Sequence, residues 1–222
     1  MNSKTISMEP TSFSYDDLIA NNAKPVRKAG LGTNLIFEYT AKEEQEPIML
    51  EIGRQREVTF RHAGGGTGKE YDIDSFDTGE NAYTQLFVWN PELNVILGGY
   101  RYIKFKDIQG SLEENLASAR LFNFSEEFKS NYAPNIAELG RSYVLIGHQA
   151  TQDNRNSRYI LKNLWDGLGS IPARDIDIEY LFGKFTMYPN NTYPGTRDLM
   201  LHYLEKHFED KNGLVIQKQK QP

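Results

Sequence analysis

The chain has 222 residues, 39% of them hydrophobic and 12% aromatic, with a formal net charge of −5. That is enough chain to bury a full core in one large domain. The absence of Cys excludes disulfides and thiolate chemistry, and the negative balance argues against nucleic acid as a partner.

Targeting and metal signals are equally sparse. His62, His148, His202 and His207 form no His-x-x-x-His pair, so no metal is expected. No N-terminal apolar segment reads as a signal peptide, and no run approaches the ~18 residues of a membrane span. A cytoplasmic protein is expected.

Residues 1–32 are polar and carry Pro10, Pro25, Gly30 and Gly32, and read as an N-terminal arm ahead of a domain over 33–222. Within the arm, Phe13 to Ala20 fits a short helix with Ser14 as its N-cap before Asp16 and Asp17. Leu35 to Thr40 is the first good strand. Pro47 stands where a helix starts, and Ile48 to Arg61 has helical composition. Arg54, Val58 and Arg61 fall on one face of that helix, and Arg56 with Phe60 on another.

Ala63-Gly-Gly-Gly-Thr-Gly-Lys69 mimics a phosphate-binding loop. A P-loop, however, needs Gly where Ala63 stands, Ser or Thr where Glu70 stands, and a strand before it. A nucleoside triphosphatase is rejected on those grounds. Next, Asp72, Asp74 and Asp77 crowd one turn, which fits either a solvated acidic turn or a functional one. A calcium loop would need a later Glu that is missing. Two strands follow, Thr84 to Trp89 and Val95 to Phe105, joined at Asn90-Pro91-Glu92, a hairpin signal. Arg101 sits in the middle of the second.

Leu112 to Leu121 reads as helical, with Phe122, Phe124 and Phe128 packing on the core behind it. Ile136 to Ile146 is a strand whose end, Tyr143 to Ile146, suits burial on both faces. Inside it, Glu138 and Arg141 flank Gly140, which marks a bulge or a close backbone approach. The pair fits either a buried ion pair or a functional site. On a regular strand the two side chains would point to opposite faces, whereas a bulge near Gly140 brings them together. An amphipathic helix is expected from Ser157, with Ile160, Leu161, Leu164, Trp165 and Leu168 on one face. Tyr180 to Tyr188 reads as a strand, Thr196 as the cap of a last helix through Met200, Leu201, Leu204 and Phe208, and Leu214 to Gln217 as a final strand.

Taken in order, Arg56/Phe60, Asp74/Asp77, Gly98-Gly-Tyr-Arg101, Glu138-Leu-Gly-Arg-Ser142 and Tyr180-Leu-Phe-Gly183 resemble the GNAT superfamily. More narrowly, they resemble the bacterial N-acyltransferases of ornithine- and glycine-lipid synthesis, often labelled hemolysin-like, and their relatives the acyl-homoserine-lactone synthases. The resemblance implies an α/β (α+β) fold with a mixed central sheet of about six or seven strands and helices on both faces. It places the 136–146 and 180–188 strands side by side. It also implies transfer of an acyl group, long-chain and 3-hydroxylated, from a thioester to the amino group of glycine or ornithine. A non-catalytic GNAT-fold binding module and a homoserine-lactone-type signal synthase are the alternatives.

Roles carried over by the resemblance fall into three groups. Glu138 is the base, with backbone N–H groups near Ser142 and Tyr143 stabilising the oxyanion. Arg56, Phe60, Asp74, Asp77, Arg101 and Arg141 bind substrate, with Arg101 or Arg141 forking a substrate carboxylate. Donor binding falls to Gln149, Arg155 and Arg158, because Gln149 to Arg158 lacks the glycines of a pyrophosphate loop. A helix N-terminus at Ser157 can still hold one phosphate. The implied donor is an acyl-carrier protein, or long-chain acyl-CoA, with no bound cofactor. The implied partners are the carrier protein and the amino acid, with peripheral contact to the inner membrane.

Overall fold

The computed structural model describes residues 6–149, 157–184, 186–187 and 193–218, with the backbone alone at Ser157 and Arg158. Its centre is a six-stranded sheet in the order β1-β2-β3-β4-β6-β7, formed by Lys24–Lys28, Leu35–Tyr39, Thr84–Asn90, Val95–Lys104, Ile136–Val144 and Tyr180–Gly183. Neighbours are antiparallel except β6 and β7, which run parallel from Ile136↔Tyr180 to Leu139↔Gly183. Parallel neighbours need a crossover, supplied by helix α4 (Ser157–Arg174). Two short strands, β5 (Phe122–Phe124) and β8 (Val215–Gln217), pair apart from the main sheet.

Helices cover both faces. α2 (Pro47–His62) starts at its proline and packs with Phe37, Phe87, Ile96 and Tyr143. It is buried from Ile48 to Thr59, apart from the part-exposed Leu50, because residues 63–83 fold over its far side. α4 closes the opposite face through Ile160, Leu164, Leu168 and Ile171. Leu161 and Trp165, expected on that stripe, are displaced from it and exposed, Trp165 by 60%. A third cluster joins Ile103, Ile136 and Phe182 to Phe124 and Phe128 at one end of the sheet.

Of the stretch before residue 32, the described residues are part of this body. Helix α1 (Tyr15–Ala20) carries a capping box between Ser14 and Asp17, β1 forms the sheet edge, and Phe13, Leu18 and Ala23 join the α2-side core. The β3–β4 hairpin turns as its residues demand: Asn90 Oδ1 accepts from the N–H groups of Glu92 and Leu93 at 3.0 and 2.8 Å, and Asn94 takes φ 57°.

Three boundaries differ from expectation. The helix expected over 112–121 stops after α3 (Leu112–Asn115), because the next amides are taken by side chains: Ala117 N–H donates to Tyr83 Oη and Ser118 N–H to Glu138. The strand expected over 180–188 ends at Gly183, with Phe185 and Tyr188 outside the described residues. Helix α5 (Pro194–His207) is capped by Tyr193 with no side-chain bond, so Thr196 lies inside its first turn. Among the described residues no helix is long and apolar enough to cross a membrane.

Candidate active site

The strand that organises the site is irregular where Gly140 predicted it. Against β4 the register runs Gly99↔Tyr143 and then Arg101↔Gly140, leaving an extra residue on β6. Arg141 absorbs it with φ 51°, a left-handed conformation uncommon outside glycine. A one-residue slip exchanges the faces of a strand. Glu138 and Tyr143, five apart, therefore both face α2, while Leu139 and Val144 face α4. Gly98 is required beside this bulge, since a Cβ there would lie 2.6 Å from the Tyr143 carbonyl oxygen.

The bulge directs Arg141 onto the acidic turn, where Nη2 lies 3.1 Å from Asp72 Oδ1 and 3.2 Å from Asp74 Oδ2. Arg101 grips Asp74 with both terminal nitrogens at 2.7 and 3.1 Å, and its Nη1 also meets Asp77 Oδ2 at 3.0 Å. Arg56, fully buried, donates to Asp77 Oδ1 at 2.9 Å and Gln85 Oε1 at 2.6 Å. Three guanidiniums and three carboxylates thus neutralise one another. Burial would raise Asp74, but Arg101 outweighs it and holds the carboxyl at about 2. Asp77 is likewise held low against burial by Arg56 and Arg101, whereas burial prevails at Asp72 and raises it. Phe60 lies under this network, with the Arg141 guanidinium 6.0 Å from its ring centre.

Glu138 stands apart from that cluster. The ion pair with Arg141 that its spacing allowed is not formed. Instead the carboxylate accepts from Tyr83 Oη at 2.9 Å, Ser118 Oγ at 3.1 Å and Ser118 N–H at 3.0 Å. Only 2% of the residue is exposed. Burial raises its pKa, opposed by these donors and by the charge of Lys184. The Tyr83 ring separates it from the arginine network, carrying the Arg101 guanidinium 5.0 Å from its centre. Nor do the groups line one open cleft: Arg101, Asp77 and Glu138 are buried, and solvent reaches Asp74 and Arg141.

Ser142 is exposed, and Tyr143 is buried with a hydroxyl that has no partner among the described residues. Leu145 N–H donates to the Leu97 carbonyl at 2.9 Å. Strand alternation then turns the Tyr143 N–H towards β4 and the Val144 N–H towards the side where β7 has ended. It is thus the Val144 N–H, rather than that of Tyr143, that faces away from β4. Of the donor residues, Gln149 spends its side-chain amide on the Val144 carbonyl at 3.1 Å. Arg155 and the side chain of Arg158 lie outside the described residues.

The glycine-rich loop already holds an anion of its own. Glu57 accepts from Thr67 N–H and Gly68 N–H, both at 2.8 Å, so the amides that would cradle a phosphate are occupied. A Cβ at Gly66 would meet the Arg61 backbone at 2.8 Å, so the glycine serves this wrap. Sequence reasoning missed Asp72, Tyr83, Gln85 and Ser118. Asp72 and Gln85 were open to inspection as polar residues beside the motif, but nothing local marks Tyr83 or Ser118.

Residues 55–161 match the family described as Acetyltransferase (GNAT) domain. The chain is 44% identical over 214 residues to a glycine N(alpha)-acyltransferase of Phocaeicola vulgatus, covering 90% of this chain and 65% of that protein. To a protein of the same name from Bacteroides thetaiotaomicron it is 47% identical over 194 residues, covering 86% of this chain and 56% of that protein. It therefore spans less than two thirds of the length of these relatives. A solved structure, TofI in a ternary complex with an inhibitor and MTA, is similar at 17% identity and a TM-score of 0.33, over 49% of this chain and 56% of that one.

Proposed function

We propose that this chain is a GNAT-family protein and forms the catalytic part of an N-acyltransferase that joins an acyl group from a thioester to the amino group of glycine. The observation that carries the reading is Glu138: a buried carboxylate held by three donors, with no guanidinium bonded to it among the described residues, next to a network whose own charges are matched. The names of the two relatives support glycine as acceptor.

An amino acid arrives as an ammonium, with a pKa near ~8, and attacks only once neutral. Glu138 takes that proton, and its raised pKa makes it a better base than an ordinary carboxylate. The amine nitrogen then bonds to the thioester carbon, the C–S bond breaks, the nitrogen gives up its second proton and the thiolate leaves as the thiol. We assign the developing oxyanion to the Val144 N–H, which faces away from β4 beyond the end of β7 at Gly183.

For the donor, we favour a long-chain 3-hydroxyacyl group on an acyl-carrier protein or CoA over acetyl-CoA, since Gln149 to Arg158 carries no glycine for a pyrophosphate cradle. Membrane contact is supported by α5, which buries none of its residues and exposes Leu199, Met200 and Tyr203. The test is incubation of the full chain with 3-hydroxyacyl-carrier protein and glycine, read by mass spectrometry for the N-acylglycine. Release of free thiol without amide, or transfer from acetyl-CoA alone, would refute the reading.

A further inference from the structure

Two cations stand near Glu138, Lys184 whose charge acts on that carboxylate and Arg120 whose charge acts on Lys184, and among the described residues neither has a carboxylate of its own. Arg120 lies two residues beyond Ser118, which donates twice to Glu138. Its guanidinium is fixed 4.4 Å from the Phe76 ring centre and donates to Ser75 Oγ at 3.2 Å. Lys184 directly follows the end of β7, two residues beyond Phe182, the β7 partner of Glu138, and its charge and that of Glu138 act on each other. Among the described residues neither cation is within ion-pair distance of an acid.

The arginines expected to hold a substrate carboxylate are already committed. Arg101 has both terminal nitrogens on Asp74 and Asp77, Arg56 is closed to solvent, and Arg141 Nη2 sits between Asp72 and Asp74. A carboxylate arriving there would compete with resident ones. Arg120 and Lys184 present open charge instead, and both are exposed as residues.

We infer that Arg120 and Lys184 form the binding site for the carboxylate of an α-amino-acid acceptor, setting its amine towards Glu138. This rests on the acyltransferase reading. The geometry suits a zwitterion: its two charged groups are separated by one carbon, and here two cations with no paired acid among the described residues stand near one buried acid. Electrostatics agree. Although Lys184 reaches water, burial of its ammonium depresses its pKa, and Arg141, Arg101 and Arg120 depress it further against the pull of Glu138. A cation so surrounded is relieved by an incoming anion.

The experiment compares glycine with glycinamide, which keeps the amine but lacks the carboxylate charge, using the full chain, Lys184→Gln, Arg120→Gln and Lys184→Arg. Acyl transfer is measured with one fixed thioester donor, and binding of each amine by calorimetry. Wild-type protein should prefer glycine. Each Gln variant should raise the glycine KM about tenfold, more than it lowers kcat, and leave the glycinamide KM near its starting value. Lys184→Arg should recover most of the preference. Equal use of glycine and glycinamide by the wild type, or a glycine preference unchanged in both Gln variants, overturns the inference while leaving the acyltransferase reading intact. Charge-dependent glycine binding without transfer from any thioester upholds the site and removes that reading instead.

Discussion

Two clusters of buried charge lie side by side in this molecule and are built on opposite principles. Around the acidic turn, every buried carboxylate has a guanidinium: Asp77 has two, Asp74 has two and Asp72 has one. Around Glu138, a carboxylate of similar burial is held, among the described residues, by two hydroxyls and one amide. A matched network is costly to break, and its arginines hold Asp74 and Asp77 in their charged form, with Asp72 alone raised by burial. An acid held only by neutral donors has its proton affinity raised by burial and can take up and release a proton. The first cluster braces α2, the turn and the β4–β6 pair against one another. The second is where proton chemistry belongs.

The largest test of that division is Glu138→Gln. We expect kcat to fall by roughly 10²–10⁴, with a melting temperature close to wild type because no buried counter-ion is orphaned. Rate measured with thermal unfolding on the same preparation checks it; full activity would remove Glu138 from the chemistry. Asp77→Ala should do the reverse. It strips Arg56 and Arg101 of their shared carboxylate and should cost about 3–5 kcal/mol in urea unfolding. A loss under ~1 kcal/mol would mean the network does not brace the fold as described.

Much of this division could be read from the chain, and its limits are physical. The bulge was legible because Gly140 interrupts a strand and because Glu138 and Arg141 cannot share a face without one. The β3–β4 hairpin was legible because Asn90 supplies its own turn bonds. Leu161 and Trp165 were assigned to the α4 stripe because composition alone does not fix the rotation of a helix. The helix over 112–121 failed because its stop signal is remote: Tyr83 and Glu138, far away in sequence, capture the amides of Ala117 and Ser118. The same remoteness hid Tyr83 and Ser118 as site residues. Nothing in the sequence singles out Arg120 and Lys184, because a cation with no acid partner among the described residues looks no different in sequence from a paired one.

A third test uses acid. Asp74 drops from its ordinary 3.8 to about 2 in the folded chain, so its share of stability is present above the unfolded value and is lost as pH falls through about 2. Integrated, that share is about 2 kcal/mol. Stability followed by urea unfolding from pH 5 down to pH 2 should fall more steeply in wild type than in Asp74→Asn, which has no such proton to bind. Parallel curves would mean that the Arg101–Asp74 grip contributes nothing to the brace. Glu138 has the opposite sign. Its folded pKa is raised, so its ionisation opposes folding as pH rises through that value, and Glu138→Gln should remove that component.

The smallest expected effect sharpens the comparison most. Ser118→Ala removes one of the three donors on Glu138 but keeps the backbone N–H. Losing a donor to the ionised form should move the acid limb of the pH–rate profile to higher pH, because catalysis needs the carboxylate ionised. Below that limb the variant should be several-fold slower, and on the alkaline plateau, where the carboxylate is ionised in both proteins, the difference should shrink towards nothing. Tyr83→Phe should move the limb in the same direction, and Ser118→Thr, which restores the hydroxyl, should return it. If Ser118 served only to shape the loop after α3, Ser118→Ala would slow the reaction by one factor at every pH. A flat ratio across the profile would therefore assign Ser118 to the scaffold, and a ratio that closes with rising pH assigns it to the proton affinity of Glu138.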